Sequence, residues 1–423
     1  MTQGLLNELE WRGLIAQCSD RETLGEHLEG GSRTLYCGFD PTADSLHIGS
    51  LVPLLTLKRF QQAGHRPILL IGGATGLIGD PSFRDDERAL NDTSVVAGWV
   101  EALRAQASPF LDLEGNNAAV VANNLDWTQD MDVISFLRNI GKHFSVNSMI
   151  ARESVRSRLE RPDQGISYTE FSYMLLQGMD YLELARRYDC SLQIGGSDQW
   201  GNIVSGVDLV RRHLSREVFA LTLPLVTKAD GTKFGKTATG TVWLDASKTS
   251  PYSFYQFWLN TADADVENFL KYFTFLSREE IEQLTAKTLE APEKRIAQTV
   301  LAEEVTRTVH GEESLRSAQR ISSALFSGAL DELTESDLGQ LAIDGLSTSS
   351  CAEGDGLLSV MTEAGLARSV GEARKLVQGG GVRLNGEVVS DVRKTLTFDD
   401  AFYGRYVVIR RGKKVYHLVT RAQ

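Results

Sequence analysis

The stretch that decides the fold of this chain runs from Leu35 to Leu51 and reads L-Y-C-G-F-D-P-T-A-D-S-L-H-I-G-S-L. Its first residues are apolar and aromatic, as in a buried strand, and Asp40-Pro41-Thr42 interrupts that pattern. A helix is predicted to begin at His47-Ile48-Gly49. The N–H groups and the positive dipole end of a helix start favour the binding of an anion.

Three further segments have the composition of buried strands: Pro67–Gly73, Ala118–Asn124 and Ser191–Gln199. Helical patterns separate them, and glycine and aspartate clusters follow the strands. Alternation of strand and helix predicts an α/β domain with a Rossmann-like, doubly wound parallel sheet and a helical insertion. Ligands bind such sheets at the carboxyl ends of the strands.

Length and composition predict a soluble globular protein with several domains. The chain has 423 residues, 42% of them hydrophobic, and no apolar run near the roughly 20 residues of a membrane span. The N-terminus lacks the pattern of a secretion signal, and the four cysteines form no C-x-x-C pair. We therefore expect a cytoplasmic location, free thiols and no structural zinc.

The expected domains are a catalytic domain at 1–245, a helical domain at 246–340, a linker at 341–356 and a small α+β module at 357–423. The last segment contains two short helical patterns and a hairpin with an Asn-Gly turn. It carries twelve Lys or Arg against six Asp or Glu, whereas the whole chain has a net charge of -12. An acidic body with a basic appendage indicates a nucleic-acid partner.

Lys233-Phe234-Gly235-Lys236-Thr237 offers two positive charges on a glycine-containing loop, which suits a triphosphate. A solvated basic turn explains this loop equally well when it is taken alone. Together with His47-Ile48-Gly49, the loop resembles the HIGH and KMSKS signatures of class I aminoacyl-tRNA synthetases. Blocks at 36–49, 72–82, 171–180 and 193–202 extend the resemblance to the bacterial tyrosyl-tRNA synthetase family. Ser50 departs from the family, which usually has a second histidine there.

The resemblance implies a ligase that joins tyrosine and ATP into tyrosyl-adenylate and pyrophosphate, then transfers the tyrosyl group to the 3′ end of tRNA(Tyr). ATP is expected as a substrate with Mg²⁺, without a metal bound by the protein itself. The substrate carboxylate is the nucleophile, so no general base is needed. The family is homodimeric, and the candidate interface is segment 132–161, through Phe136, Ile140, Phe144, Val146 and Met149.

Tyr173, Gln177 and Asp180 are spaced i, i+4 and i+7, so they share one face of a helix. That face is either a solvated edge or a pocket wall. The resemblance makes it a pocket for tyrosine. It implies that Tyr36 and Asp180 bind the phenol hydroxyl. Asp80, Tyr173 and Gln177 are expected at the α-ammonium group, and Gln199 at the carboxylate. Asn124 either borders this pocket or is an ordinary turn residue.

For ATP, the resemblance implies Cys37 and Asp198 at the ribose, and Asp40 and Thr42 near the nucleotide. The residues expected at the phosphates are His47, Ser50, Lys233, Lys236 and Thr237. Glycines allow close approach of the backbone at Gly38, Gly49, Gly195 and Gly196. Arg84 and Arg88 are expected to reach pyrophosphate. The alternatives are a small core residue for Cys37 and a solvated charge run for the two arginines.

The basic tail resembles an S4-type RNA-binding module. The residues expected to contact tRNA phosphates are Arg368, Arg374, Lys375, Arg383, Arg410, Arg411, Lys413 and Lys414. The alternative is that these charges only keep a small domain in solution. Three rival functions remain open: a synthetase for tryptophan, a non-catalytic RNA-binding paralogue, and a nicotinamide-dependent oxidoreductase. Gly72 to Gly79 lacks the G-x-G-x-x-G pattern, which disfavours the last.

Overall fold

The computed structural model describes residues 4–82, 91–160, 165–232, 234–237, 240–399 and 401–422. The chain divides into two compact units. The first comprises Met1–Leu244 and Glu267–Glu282, and the second comprises Asp245–Val266 and Gln283–Gln423.

A six-stranded sheet forms the centre of the first unit, in the order β1-β6-β5-β2-β3-β4. All neighbouring strands are parallel except β1, which is antiparallel to β6. The predicted parallel sheet is confirmed, although the sequence patterns did not single out β1 and β6. The strands are β1 Gln17–Cys18, β2 Thr34–Phe39, β3 Arg66–Ile71, β4 Val120–Asn123, β5 Cys190–Gly196 and β6 Phe219–Leu223.

Helices surround this sheet, and a short two-stranded ribbon pairs β7 with β8. The ribbon is β7 Lys236–Thr237 and β8 Gly240–Thr241. The helices are α1 Leu5–Trp11, α2 Arg21–Glu29, α3 Leu51–Gln62, α4 Thr75–Ile78, α5 Thr93–Ala107, α6 Leu125–Thr128, α7 Val133–Asn139, α8 Val146–Ile150, α9 Glu153–Leu159, α10 Tyr168–Tyr188 and α11 Trp200–Leu214.

Helix α10 brings the predicted tyrosine-binding face to the sheet. Its N-cap Ser167 accepts a hydrogen bond from the backbone N–H of Glu170, and it ends at Asp189 in the left-handed conformation. Met179 and Leu182 on this helix are fully buried, in one cluster with Ile68 of β3. Burial of these apolar side chains places the neighbouring polar residues of the same helix in the interior as well.

The second unit combines helices with a five-stranded sheet in the order β11-β10-β12-β13-β9. Its helices are α12 Pro251–Leu259, α15 Ile296–Ser327, α16 Glu335–Gln340, α17 Leu357–Glu363 and α18 Val370–Gln378, and parts of α13 Asp263–Phe273 and α14 Arg278–Glu290 also belong to it. Helices α13 and α14 each cross a boundary between the units. The strands are β9 Ser347–Cys351, β10 Val382–Leu384, β11 Glu387–Val388, β12 Tyr406–Arg411 and β13 Val415–Arg421.

The segment interpreted as a linker contains strand β9, which pairs in parallel with β13. Ser347 and Ser349 place their hydroxyls 2.9 and 2.8 Å from the two ring nitrogens of the buried His417. This strand was not predicted because Cys351 is its one buried residue. An edge strand held by polar contacts does not show the apolar pattern on which a strand prediction depends.

Some residues of the proposed dimer interface are not exposed, so this part of the prediction is wrong. Ile140 and Met149 are buried in the core of their own unit, at 3% and 6% exposure, and Phe136 and Phe144 pack partly against that core. Val146 is exposed, as expected. The other exposed apolar side chains of this segment are Val133, Ile134, Leu137, Ile150 and Leu159. Residues spaced three or four apart share one face of an amphipathic helix, so only part of each apolar set points into the core. Arg161 lies outside the described residues.

Candidate functional site

The predicted site residues of the first unit converge at the carboxyl edge of the parallel sheet. Tyr36 and Cys37 lie on β2, which pairs with β3 on one side and β5 on the other. Asp198 and Gln199 lie directly after β5, in a short 3₁₀ turn. This edge is the ligand-binding side of open parallel sheets.

Asp180 of α10 is held by two side-chain donors in the interior. Its Oδ1 accepts a hydrogen bond from Trp127 Nε1 at 2.9 Å, and its Oδ2 accepts one from Asn124 Nδ2 at 3.0 Å. Burial raises the pKa of this carboxyl group to about 7, although both hydrogen bonds act to lower it. Asn124 therefore contacts Asp180, and its place at a tyrosine pocket stays a prediction. Trp127 was missed, because nothing in its local sequence indicates a contact with a residue 53 positions away.

Tyr36 presents a buried hydroxyl to the same region. The ring lies edge-on to Tyr181, with centroids 5.3 Å apart, and only 1% of the residue is exposed. Within the described part of the chain, three buried oxygen atoms here have no hydrogen-bond partner: Tyr36 Oη, Gln177 Oε1 and Gln193 Oε1. Buried polar atoms without partners are costly, so they indicate groups kept for a polar ligand.

Tyr173 and Asp40 are brought together, although the sequence reading gave them to different substrates. Tyr173 Oη donates to Asp40 Oδ2 at 2.7 Å, and Thr75 Oγ1 donates to Asp40 Oδ1 at 2.6 Å. Burial, and then the charge of Asp40, raise the pKa of the Tyr173 hydroxyl well above its usual value. This hydroxyl is therefore a neutral donor to Asp40.

Gln199 links two of the predicted aspartates. Its Nε2 donates to Asp80 Oδ2 at 2.7 Å and to Asp198 Oδ2 at 3.0 Å. Burial raises the pKa of Asp198. Gly196 allows this arrangement, since a Cβ there would lie 2.3 Å from Asp198 Oδ1.

His47 begins the 3₁₀ turn Ile48–Ser50 that leads into α3. Its Nδ1 accepts a hydrogen bond from Gly49 N at 3.0 Å, and the residue is exposed. Because Nδ1 is an acceptor, the proton of the neutral ring lies on Nε2, which is then a donor. A Cβ on Gly49 would lie 2.8 Å from His47 Cε1, so glycine is needed to keep the ring in this position. Ser50 donates its backbone N–H to His47 O at 2.8 Å.

The end of β2 borders open space on one side. Gly38 and Thr42 are exposed, and a Cβ on Gly38 would meet nothing within 4 Å. Cys37 is buried, and burial raises its pKa to about 12, so it remains a neutral thiol. Gly195 is buried, with Gln199 side-chain atoms 3.5 Å from the position of a Cβ.

The lysine loop adjoins the start of the His47 turn. A Cβ on Gly235 would lie 2.6 Å from Ile48 Cγ2, so the two motifs are in contact. Phe234 is buried and stacks on Phe273 with centroids 5.3 Å apart. Lys233, Arg84 and Arg88 lie outside the described residues, as do the side chains of Lys236 and Thr237.

Most of the predicted RNA-contacting cations lie on the surface of the C-terminal module. The exposed ones are Arg368, Arg374, Lys375, Arg383, Lys413 and Lys414. Arg410 and Arg411 are half-buried and donate within the module, to Lys413 O at 2.7 Å and to Leu366 O at 2.6 Å. Arg383, Arg410 and Lys413 line a cleft of about 400 Å³ together with glycines that lie just outside the strands of the sheet.

In the described ranges, no three His, Cys, Asp or Glu side chains are grouped as a metal site would require. The helices within those ranges include none that is both long and apolar enough to cross a membrane.

The model of the family described as tRNA synthetases class I (W and Y) matches residues 29–327. The chain belongs to this family. A second model, described as the tyrosine–tRNA ligase SYY-like C-terminal domain, matches residues 337–419. The predicted family is therefore confirmed, in a class I synthetase fold of mixed α/β type with a parallel sheet.

Relatives within the class I synthetases align over almost the whole chain. It is 59% identical to the tyrosine–tRNA ligase of Aliivibrio fischeri over 419 residues, which is 99% of this chain and 98% of that protein. It is 58% identical to the tyrosine–tRNA ligase of Laribacter hongkongensis over 418 residues, with the same coverage. A truncated mitochondrial tyrosyl-tRNA synthetase of Aspergillus nidulans is similar in structure, with a TM-score of 0.70 and 30% identity over 77% of this chain and 94% of that one.

Proposed function

We infer that this protein is a tyrosine–tRNA ligase. It activates tyrosine with ATP, releasing pyrophosphate, and transfers the tyrosyl group to tRNA(Tyr). The observation that carries this function is the buried Asp180, whose charge acts on Tyr36, a buried hydroxyl with no hydrogen-bond partner among the described residues. A carboxylate and a hydroxyl in an apolar pocket suit a substrate that brings one hydroxyl group of its own.

We propose that Tyr36 and Asp180 bind the phenol hydroxyl of tyrosine. A substrate without that hydroxyl would bury these groups unpaired, which disfavours phenylalanine. The indole of tryptophan presents an N–H at a different position and no acceptor, which disfavours the tryptophan rival.

The α-ammonium group is proposed to bind Asp80, Tyr173 and Gln177, and the carboxylate to lie near Gln199. The geometry of Tyr173 supports its proposed contact with the ammonium group. Its hydroxyl proton points to Asp40, so the oxygen lone pairs can accept a hydrogen bond from a cation. Gln177 Oε1, with no partner in the described structure, is an acceptor suited to an ammonium group.

ATP is proposed to lie along the open end of β2, with its ribose near Cys37 and Asp198. The nucleotide would adjoin Gly38, Asp40, Thr42 and Gly195, and MgATP is the form in which it binds. The proposed phosphate-binding groups are His47, Gly49, Ser50, Lys233, Lys236 and Thr237, with Arg84 and Arg88 at pyrophosphate. The Nε2–H of His47 supports this placement, since a donor at a helix start suits an anion.

The reaction proposed for this geometry is an in-line attack of the tyrosine carboxylate on the α-phosphorus. The protein orients two substrates and stabilises the negative charge that develops on pyrophosphate. Lys233 and Lys236 would supply that charge stabilisation, and no side chain has to remove a proton from the nucleophile.

The C-terminal module is proposed to be S4-like and to bind tRNA phosphates through its exposed cations. Charge reversal of both Arg383 and Lys413, each to Glu, should raise the KM for tRNA several-fold and leave tyrosine-dependent pyrophosphate exchange unchanged. Reversal of the exposed Arg278 to Glu, in the first unit, is a matched control. Equal aminoacylation by both variants would contradict the RNA-binding role.

A homodimer and a cytoplasmic location stay predictions. For the dimer, the exposed apolar residues Val133, Ile134 and Leu137 now replace Ile140 and Met149 as candidate contacts. Size-exclusion chromatography with light scattering tests it, and a monomer at micromolar concentration would contradict it.

Pyrophosphate exchange with each amino acid tests the function itself. Exchange should depend on tyrosine, with phenylalanine and tryptophan at background. Exchange supported by tryptophan would select the rival synthetase, and no exchange with any amino acid would select the non-catalytic paralogue.

A further inference from the structure

A buried chain of hydrogen bonds crosses the first unit from Trp127 to Tyr173, with Thr75 in the middle. The side chain of Asn124 donates through Nδ2 to Asp180 and also to Thr75 Oγ1, both at 3.0 Å. Thr75 Oγ1 in turn donates to Asp40 Oδ1 at 2.6 Å, and Tyr173 donates to the other oxygen of Asp40. Thr75 and Asn124 are 3% and 1% exposed.

The backbone N–H of Ala74 fixes the direction of the hydrogen bonds that Asn124 and Thr75 make. The N–H of Ala74 lies 2.7 Å from Asn124 Oδ1 and can only donate, so this atom of the amide is the oxygen. The amide nitrogen therefore faces Thr75 and Asp180, and Thr75 Oγ1 has to accept from it. Consequently the hydroxyl proton of Thr75 points at Asp40.

The contact between Thr75 and Asp40 is also fixed in space. A Cβ on Gly72 would lie 2.0 Å from Asp40 Oδ1 and 2.4 Å from Thr75 Oγ1, so both side chains press against the backbone there. The neighbouring backbone leaves the carboxylate no room to move toward Gly72 if the threonine hydroxyl is removed.

We propose that Thr75 is a positioning residue for tyrosine activation. Its hydroxyl holds Asp40, which fixes Tyr173 at the ammonium end, and it also anchors Asn124, which fixes Asp180 at the phenol end. One side chain outside the proposed tyrosine contacts therefore sets both ends of the proposed tyrosine site. This role rests on the proposed tyrosine-binding function of Asp180 and Tyr173.

Two variants separate the hydroxyl from the volume of the side chain. Thr75→Val keeps the shape and removes the hydroxyl, whereas Thr75→Ser keeps the hydroxyl and removes a methyl group. In pyrophosphate exchange, Thr75→Val should raise the KM for tyrosine by about tenfold or more, because a buried hydrogen bond to a carboxylate and an acceptor for Asn124 are both lost. It should also lower the preference for tyrosine over phenylalanine. Thr75→Ser should stay within about threefold of the parent, and the KM for ATP should change less than that for tyrosine in both.

A double-mutant cycle tests whether the effect passes through Asp40. Thr75→Val combined with Tyr173→Phe should cost less than the sum of the two single changes, since both groups act on the same carboxylate. Additive effects would show that the two residues act independently and would overturn the proposal.

Two further outcomes would overturn it: a Thr75→Val enzyme with the tyrosine KM and selectivity of the parent, or equal losses in the Val and Ser variants. Thermal unfolding checks that both are folded, and Thr75→Ala against Thr75→Ser gives the same comparison if the Val variant does not fold. Failure of the proposed function is a separate result, because then the parent itself shows no tyrosine-dependent exchange.

Discussion

The proposed amino-acid end of the site, around Asp180, and its proposed phosphate end, around His47, are built in opposite ways. Asp180 is 2% exposed and has both carboxylate oxygens hydrogen-bonded before any substrate arrives. His47 is exposed, and its ring nitrogen Nδ1 accepts a hydrogen bond from the backbone of Gly49. The buried end is suited to selecting one side chain, because an unmatched polar group there is costly. The exposed end is suited to groups that enter and leave with their water.

The largest effect is expected from Asp180→Asn. An amide can accept from only one of the two donors, Trp127 or Asn124, and the bond to the substrate hydroxyl weakens as well. Loss of two hydrogen bonds to a charged group, at about 1.5–3 kcal/mol each, predicts a fall in kcat/KM for tyrosine of roughly a thousandfold. Pyrophosphate exchange measures it. Asp126→Asn, at an exposed position of α6 next to Trp127, should behave as the parent, and a loss in both would show that the effect is not specific to Asp180.

The stability of the protein should depend on pH through Asp180 at the buried end. The folded pKa of Asp180 is about 7, against roughly 3.9 in an unfolded chain, so the folded state binds more protons between these values. As the pH rises from about 4 to 7, the parent should lose up to about 4 kcal/mol of unfolding free energy relative to Asp180→Asn. Urea unfolding at several pH values measures this difference. Parallel pH profiles for the two proteins would show that Asp180 does not titrate in this range.

His47→Ala should act on the transfer step rather than on selection. Loss of one donor to the developing phosphate charge predicts a fall in kcat of about a hundredfold, with the KM for tyrosine nearly unchanged. Gly49→Ala should show part of this loss, since its Cβ would lie 2.8 Å from His47 Cε1 and displace the ring. Single-turnover formation of the adenylate measures both. A raised KM for tyrosine with normal kcat would reverse the assignment of the two ends.

The smallest effect, and one of opposite sign for stability and activity, is expected from Tyr36→Phe. Its buried hydroxyl has no partner among the described residues, so its removal should stabilise the free protein by about 1 kcal/mol. The KM for tyrosine should rise by about tenfold, because the substrate loses one hydrogen bond.

Tyr181→Phe is the matched control for this change. The Tyr181 hydroxyl donates to Phe219 O at 2.8 Å, so its loss should destabilise the protein. Thermal unfolding compares the two variants. Destabilisation by both would indicate that Tyr36 has a partner in the free protein.

Local patterns were enough to propose much of the site, because each pattern lies within a short stretch of sequence. His47, Gly49 and Ser50 form one turn, and Tyr173, Gln177 and Asp180 lie on α10. The partners of these residues come from elsewhere in the chain. Trp127 and Thr75 escaped notice because their contacts to Asp180 and Asp40 join residues 53 and 35 positions apart. No local periodicity records such a contact.

Local sequence patterns were enough to predict the parallel α/β sheet, the synthetase family and the basic composition of the C-terminal segment, and they also give the proposed ligand-binding edge. These follow from hydrophobic period, glycine positions and ordered motifs, which are local properties. Only the folded structure shows which residues of 132–160 are buried, that 347–351 is a strand, and that Thr75 joins Asp40 to Asn124. Those outcomes depend on which distant surfaces meet, because burial and hydrogen bonding are properties of the contacts between elements rather than of the elements alone.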